Sequence, residues 1–338
     1  MKILLTGATG FIGHHVAHAL AAQGAQLRLL VRRTSNLDNL QGLRAETHIG
    51  DLAEPESIKP ALEGCDAVMH IAADYRLWIP DPAAMYKANV EGTRELLRLA
   101  READVPRFVY TSSVATMGFR KDNVVINEDS PVSLKQMVGH YKRSKFLAEQ
   151  EAIAAAAKGQ KVVILNPTSP IGAYDRKPTP TGRIILDFLN GKFPAYMDTG
   201  LNLVDVEEIA RTHVAALTVG LFGRRYILGG ENLTLKQILD KLSELSGVPS
   251  PTMKIPFAVA AMYAFFEETI TGKICKKEPR ATLEEVRMGR KKMYASSARA
   301  QQELGFRIQP VLPAMKAAIE WFEQNGYATK RAKRAWQG

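Results

Sequence analysis

The decapeptide Leu4-Leu5-Thr6-Gly7-Ala8-Thr9-Gly10-Phe11-Ile12-Gly13 constrains this chain more than any other feature. A short apolar run leads into G-x-x-G-x-x-G and then into a helical pattern over Phe11–Ala22. Gly7 permits a tight turn out of the strand, because glycine alone tolerates φ > 0 freely. Gly10 lets the backbone approach a pyrophosphate, and Gly13 lets the helix pack close to the strand. Thr9, Phe11 and Ile12 share that loop, where the backbone N–H groups of a helix start face an anion. A glycine turn without a ligand is the plainer reading. Its place between strand and helix favours a dinucleotide.

The rest of the N-terminal half alternates in the same way. Apolar runs at Ile3–Leu5, Leu27–Val31, Ala67–Ile71, Phe108–Tyr110 and Val162–Leu165 read as buried strands. Helical stretches at Phe11–Ala22, Ala84–Ala103 and Tyr141–Ala157 lie between them. Strand–helix alternation predicts an α/β fold, a Rossmann-type doubly wound parallel sheet. From Asn166 the texture changes to Pro-rich loops and scattered helices, among them Arg183–Asn190, Leu235–Leu245, Phe257–Thr269 and Pro313–Asn325. The expected division is residues 1–165 for the dinucleotide and 166–338 for a smaller α/β substrate domain. Some of the latter's segments should return to the main sheet.

The second strand ends in Val31-Arg32-Arg33-Thr34-Ser35, with no carboxylate for a ribose 2′-hydroxyl. Arginine at this place accommodates a 2′-phosphate, so Arg32 and Arg33 point to NADP(H). Ordinary surface charge is the competing reading. Asp51-Leu52 follows the third strand, where a carboxylate can take the adenine amino group or cap a helix.

Tyr141 and Lys145 stand one helical turn apart. Hydride transfer to a carbonyl needs a proton donor, and the reverse needs a base. A phenol with a pKa of about 10 serves only with a cation nearby. Ser113 ends the Phe108–Tyr110 strand segment, where it can bond the substrate oxygen that Tyr141 protonates. The expected catalytic residues are therefore Ser113, Tyr141 and Lys145.

Taken together, these motifs resemble the extended short-chain dehydrogenase/reductase superfamily over nearly the whole chain. Ile71-Ala-Ala, Asn89-Val-Glu-Gly-Thr and Asn166-Pro-Thr carry the resemblance further. Within it the chain is similar to dihydroflavonol-4-reductase-like proteins, and more narrowly to hopanoid-associated sugar epimerases. Ala72-Ala-Asp-Tyr-Arg-Leu-Trp78, Gly139–Lys145, Lys177–Arg183 and Arg225–Asn232 carry that narrower likeness. The resemblance implies Ser113, Tyr141 and Lys145 as the triad, with Lys145 also holding the nicotinamide ribose. It implies Ala72, Ala73, Asn166 and Pro167 as neighbours of the ribose and nicotinamide.

Relatives acting on nucleotide sugars usually carry an arginine in a segment like R-D-F-x-x-V; here the stretch is Leu201-Asn-Leu-Val-Asp-Val206. The expected function is therefore an NADP(H) oxidoreductase acting on a carbonyl or secondary alcohol of an apolar substrate. A sugar epimerase or dehydratase linked to hopanoid biosynthesis, and a non-catalytic dinucleotide-binding regulator, are the alternatives. Asp74, Tyr75, Trp78, Met117, Arg183 and Leu186 are the candidate substrate residues, with Ile185 in the same apolar wall. For the aromatics the competing reading is packing under a loop. Arg183 also suits a phosphate.

The net charge of +10 is lopsided. Residues 271–338 hold 15 basic and 6 acidic side chains, whereas residues 1–270 hold 30 and 29. A neutral body argues against nucleic acid as partner. The basic part follows the apolar run Ile255–Phe266, a pattern that fits either a core helix beside a solvated tail or peripheral contact with anionic lipid through residues 255–292. No apolar run reaches the length of a membrane span, and the run after Lys2 is too short for the h-region of a secretory signal. Cys65 and Cys275 make neither a disulfide framework nor a metal site. A cytoplasmic protein is expected, peripheral at the inner face of the membrane if the lipid reading holds. No metal is expected, and the chain is a candidate homodimer through Ala84–Ala103 and Tyr141–Ala157.

Overall fold

A computed structural model describes residues 1–76, 81–118, 125–274 and 282–328. Seven strands form one parallel sheet. They are β1 (Lys2–Thr6), β2 (Gln26–Val31), β3 (Ala45–Ile49), β4 (Ala67–His70), β5 (Phe108–Thr111), β6 (Val162–Pro167) and β9 (Arg225–Leu228). Their order is β3-β2-β1-β4-β5-β6-β9. The order reverses between β1 and β4, and ligands in such sheets bind at the carboxyl ends beside that reversal. The expected Rossmann-type fold is what the chain adopts.

Two apolar layers hold the sheet. Ile3, Leu5, Leu29, Met69 and Val109 point to one face, under helix Phe11–Ala22. Leu4, Val68, Phe108 and Ile164 point to the other, under helices Gly92–Glu102 and Gly139–Ala157. Successive residues of a strand face opposite sides, which is why the runs are apolar throughout.

The expected boundary at residue 165 falls inside β6, and β9 returns from the second half to pair with β6. The smaller unit holds a second sheet of β7 (Ser169–Ile171), β8 (Gly200–Asp205) and β10 (Glu231–Thr234), in the order β10-β8-β7. Its own core packs Ile185, Phe188, Leu239, Met315 and Phe322.

One expected helix is not continuous. Ala84–Ala103 forms as Ala83–Tyr86, a π-helical turn Lys87–Glu91 and Gly92–Glu102. Asn89 is buried within that turn; π-bulges of this kind recur at functional sites.

Candidate active site

The glycine turn is built as its spacing requires. Gly7 adopts φ +78°, and a Cβ there would lie 2.6 Å from the Ala72 nitrogen. A Cβ on Gly13 would lie 1.9 Å from the Gly7 carbonyl oxygen, so the helix start rests on the turn's backbone. Gly10 caps the helix without a side chain, and the first turn holds no acidic residue. These N–H groups are therefore available to an anion. Phe11 is buried, Thr9 and Ile12 are half-buried, and the Thr9 carbonyl accepts from Asn39 Nδ2 at 3.2 Å.

Around this turn lie the other expected cofactor residues. Arg32 and Arg33 are exposed beyond β2, where Ser35 Oγ accepts from the Arg32 backbone at 3.1 Å. Asp51 Oδ1 caps the Ala53 N–H at 2.9 Å, and Leu52 fills the space that a Cβ on Gly92 would need. Ala72 donates its N–H to Thr6 Oγ1 at 3.1 Å, with Ala73 half-buried beside it. Asn166 and Pro167 end β6, and the buried Oδ1 of Asn166 has no hydrogen-bond partner among the described residues. A glycine cradle, an open helix start, exposed arginines and an orphaned buried acceptor all fit a dinucleotide across this end of the sheet.

Ser113, Tyr141 and Lys145 come together beside it. Ser113 follows β5, and its Oγ accepts from the Ala115 N–H at 3.1 Å. Tyr141 projects from the first turn of helix Gly139–Ala157, with Ser113 close enough to act on its phenol. Burial raises the Tyr141 phenol above its ordinary pKa, and the nearby Ser113 side chain pulls it partly back. The phenol therefore rests protonated.

Lys145 does not reach out to Tyr141 by any direct hydrogen bond. Its Nζ donates to the Tyr110 hydroxyl at 2.9 Å and to the Thr111 carbonyl at 2.8 Å. Burial pushes its pKa down to about 7, with Glu149 opposing the shift. Glu149 lies one turn further along the same helix and is fully buried. Asn166 Nδ2 donates to its carboxylate at 2.6 Å, the Thr116 hydroxyl at 2.9 Å, and the Arg225 guanidinium pairs with it at 3.3 Å.

Asn89 ties the loop after β4 to helix Gly139–Ala157. It accepts from the Asp74 N–H at 2.7 Å and donates to the Asp74 carbonyl at 2.8 Å and to Ser144 Oγ at 3.0 Å. His70 sits behind, with Thr6 Oγ1 at 2.7 Å and Thr93 Oγ1 at 3.0 Å. Burial lowers its pKa to about 3, so it is neutral. Sequence reasoning gave no role to Asn89, Glu149, Tyr110 or His70. The signal that could have found them is a polar side chain on the buried face of an otherwise apolar element.

The substrate candidates divide. Tyr75 donates to the Lys177 carbonyl at 3.1 Å. Burial, then Asp175, drives its phenol to about 12, and Arg183, Asp74 and Tyr141 all act on it. These groups therefore lie within electrostatic reach of the Tyr75 phenol. Asp175 is buried and raised to about 6, with Thr179 N–H and hydroxyl bonds opposing the burial. Gly182 makes room for it, since a Cβ there would lie 2.0 Å from Asp175 Oδ2. Asp74 pairs with Arg76 Nε at 2.9 Å, and Leu186 is half-buried on the Arg183 helix. Met117 and Ile185 are corrections to the expected wall. Ile185 belongs to the core of the smaller unit, and Met117 packs with Val114, Ile126, Ile227 and Ala295. Met117 and Lys142 line only a cavity of about 10 Å³, roughly one water in size. Trp78 lies outside the described residues.

Comparison with known proteins places this arrangement. Residues 3–229 match the family model described as the NAD dependent epimerase/dehydratase family. The chain is 42% identical over 327 residues to a putative dihydroflavonol 4-reductase of Synechocystis sp., covering 96% of this chain and 95% of the relative. It is 33% identical to the sterol demethylase protein B of Methylococcus capsulatus, covering 96% and 99%. The crystal structure of gox2253 superposes with a TM-score of 0.87 at 45% identity, covering 97% and 99%. By fold, site and likeness alike, the chain belongs to the NAD dependent epimerase/dehydratase family and is an NAD(P)-dependent enzyme of the oxidoreductase type.

Proposed function

We propose that the protein is an NADP(H)-dependent oxidoreductase that interconverts a carbonyl and a secondary alcohol on an apolar, polycyclic or isoprenoid substrate. The observation that carries this reading is the meeting of Ser113, a protonated Tyr141 and Lys145 beside the glycine turn. In the reducing direction Tyr141 gives its proton to the substrate oxygen, and Ser113 holds that oxygen in place. Lys145, anchored on β5, keeps a cation one turn away and favours the phenolate left behind. The Gly7–Gly13 turn, with Asp51, Ala72, Ala73, Lys145, Asn166 and Pro167, would hold the dinucleotide, which when bound would supply or accept the hydride.

Arg32 and Arg33, with no carboxylate before Asn36, support NADP(H) over NAD(H). An apolar substrate is supported by Tyr75, within electrostatic reach of Tyr141, and by a relative whose name refers to sterols. Asp175 and Arg183 are the groups on which a polar substrate would depend.

The test is NADPH oxidation by the purified protein with polycyclic and isoprenoid ketones, against a parallel set of nucleotide sugars. Turnover of an apolar ketone with stoichiometric NADPH loss is expected. Conversion of a nucleotide sugar without net cofactor oxidation overturns the reading in favour of an epimerase.

A further inference from the structure

Helix Phe257–Glu267 is inside out. Its buried residues are Ala260 and Ala264, one turn apart. They pack against Val286 from helix Leu283–Gly289, with Met197 and Leu283 at the margin. Phe257 also packs at that margin, and the other large apolar side chains point the other way. Phe265 is 54% exposed, Phe266 53% and Met262 58%, and Val259 shares their face. The π-helical continuation Glu268–Ile274 extends it with Ile270 and Ile274, the latter 71% exposed. No charged residue interrupts the run from Phe257 to Phe266. An ordinary surface helix turns its apolar stripe inward. A contiguous outward patch of this size marks a binding surface.

The surrounding charge identifies the occupant. Arg287 and Arg290 directly follow the Val286 contact, are exposed, and make no ion pair among the described residues. Among the nearby carboxylates, Glu267 at the end of the helix accepts from the Tyr263 hydroxyl at 3.4 Å. Asp198 pairs with Lys254 at 2.9 Å and Lys292 at 3.5 Å, and Glu268 accepts the Leu283 N–H at 2.8 Å. Large apolar side chains next to uncompensated arginines match the two layers of an anionic membrane surface, acyl chains and headgroups.

We infer that the outward face of residues 257–274, with Arg287 and Arg290, docks on an anionic lipid bilayer. No helix among the described residues is long and apolar enough to cross one, so the contact is with a single leaflet. The docking face sits at the site. Glu284, between Leu283 and Val286, lies against Gly139, where a Cβ would come 1.6 Å from its Oε1. Its charge also acts on Lys142, the residue after Tyr141. The bilayer-facing helices thus rest on the first turn of the helix that carries Tyr141.

The experiment is co-sedimentation of the full chain with phosphatidylcholine vesicles and with vesicles that also contain phosphatidylglycerol. Binding is expected only to the anionic vesicles, falling as salt rises. F265S/F266S is expected to weaken it about tenfold or more, and R287Q/R290Q by about tenfold at low ionic strength. Both pairs are exposed, so circular dichroism of each variant should match the parent. Absent binding, or binding that neither double variant changes, overturns the proposal. So does a concentration-dependent dimer that F265S/F266S dissolves while anionic vesicles bind no protein.

Discussion

Lys145 Nζ donates to the hydroxyl of Tyr110 at 2.9 Å and lies 4.6 Å from the centre of that ring. Lys145 is thus moored to strand β5 while Glu149, on its own helix, acts on its charge. The site is preorganised at a cost in stability, because an ammonium is buried with a phenol, a carbonyl and the charge of Glu149 as compensation.

That cost sets a pH dependence. Burial pushes the Lys145 ammonium down to about 7 in the fold, from about 10.5 in the unfolded chain. Between these values the unfolded chain binds a proton that the folded chain does not, so its contribution to stability rises with pH across this window. Below pH 7 the full penalty applies. Lys145→Met is expected to remove that slope and to raise the stability at pH 7 by on the order of 2 kcal/mol, while turnover is lost. Urea unfolding of both proteins at pH 6, 7.5 and 9 checks it.

Tyr141→Phe deletes one hydroxyl and leaves the packing of helix Gly139–Ala157 intact. Turnover is expected to fall by about 10²–10⁴-fold, the usual worth of a positioned acid or base. NADPH binding, followed by its fluorescence, should stay within about twofold. Loss of binding and turnover together would contradict the assigned role.

Glu149→Gln keeps the shape and removes the charge that faces Lys145 and Arg225. Breaking one side of a buried pair is expected to cost about 3 kcal/mol. Lys145 should then lose its proton at a lower pH than in the parent. A displaced limb in the pH profile of kcat/KM distinguishes this from simple loss of packing.

Gly13→Ala sets a methyl group 1.9 Å from the Gly7 carbonyl oxygen, where only backbone can yield. The turn must open. The variant is expected to unfold several degrees lower in thermal scans and to show no saturable NADPH binding.

Replacing Arg32 and Arg33 together by glutamine is expected to weaken NADPH binding by about 10–100-fold and leave NADH binding nearly unchanged. Parallel fluorescence titrations decide it. Equal losses for both cofactors would place the arginines outside the 2′-phosphate site.

Local pattern made much of the molecule legible. The Gly7–Gly13 turn is a short-range device whose spacing is read directly, and helix Phe11–Ala22 has the bounds its pattern predicts. The buried strands were visible because a strand covered on both faces is apolar at every position. Less visible was the π-helical turn at Lys87–Glu91, since one inserted residue leaves the apolar periodicity almost unchanged.

By itself the sequence determined the parallel sheet, the dinucleotide turn and the pairing of Tyr141 with Lys145 on one helix, because each depends on residues close in the chain. Only the tertiary structure decided what those residues meet. Lys145 finds Tyr110 35 positions away, Glu149 finds Arg225 76 positions away, and Met117 turns into the core. It also decided that Phe265 and Phe266 face outward. Composition cannot say which side of an apolar helix is covered, since that depends on the neighbours that folding brings against it.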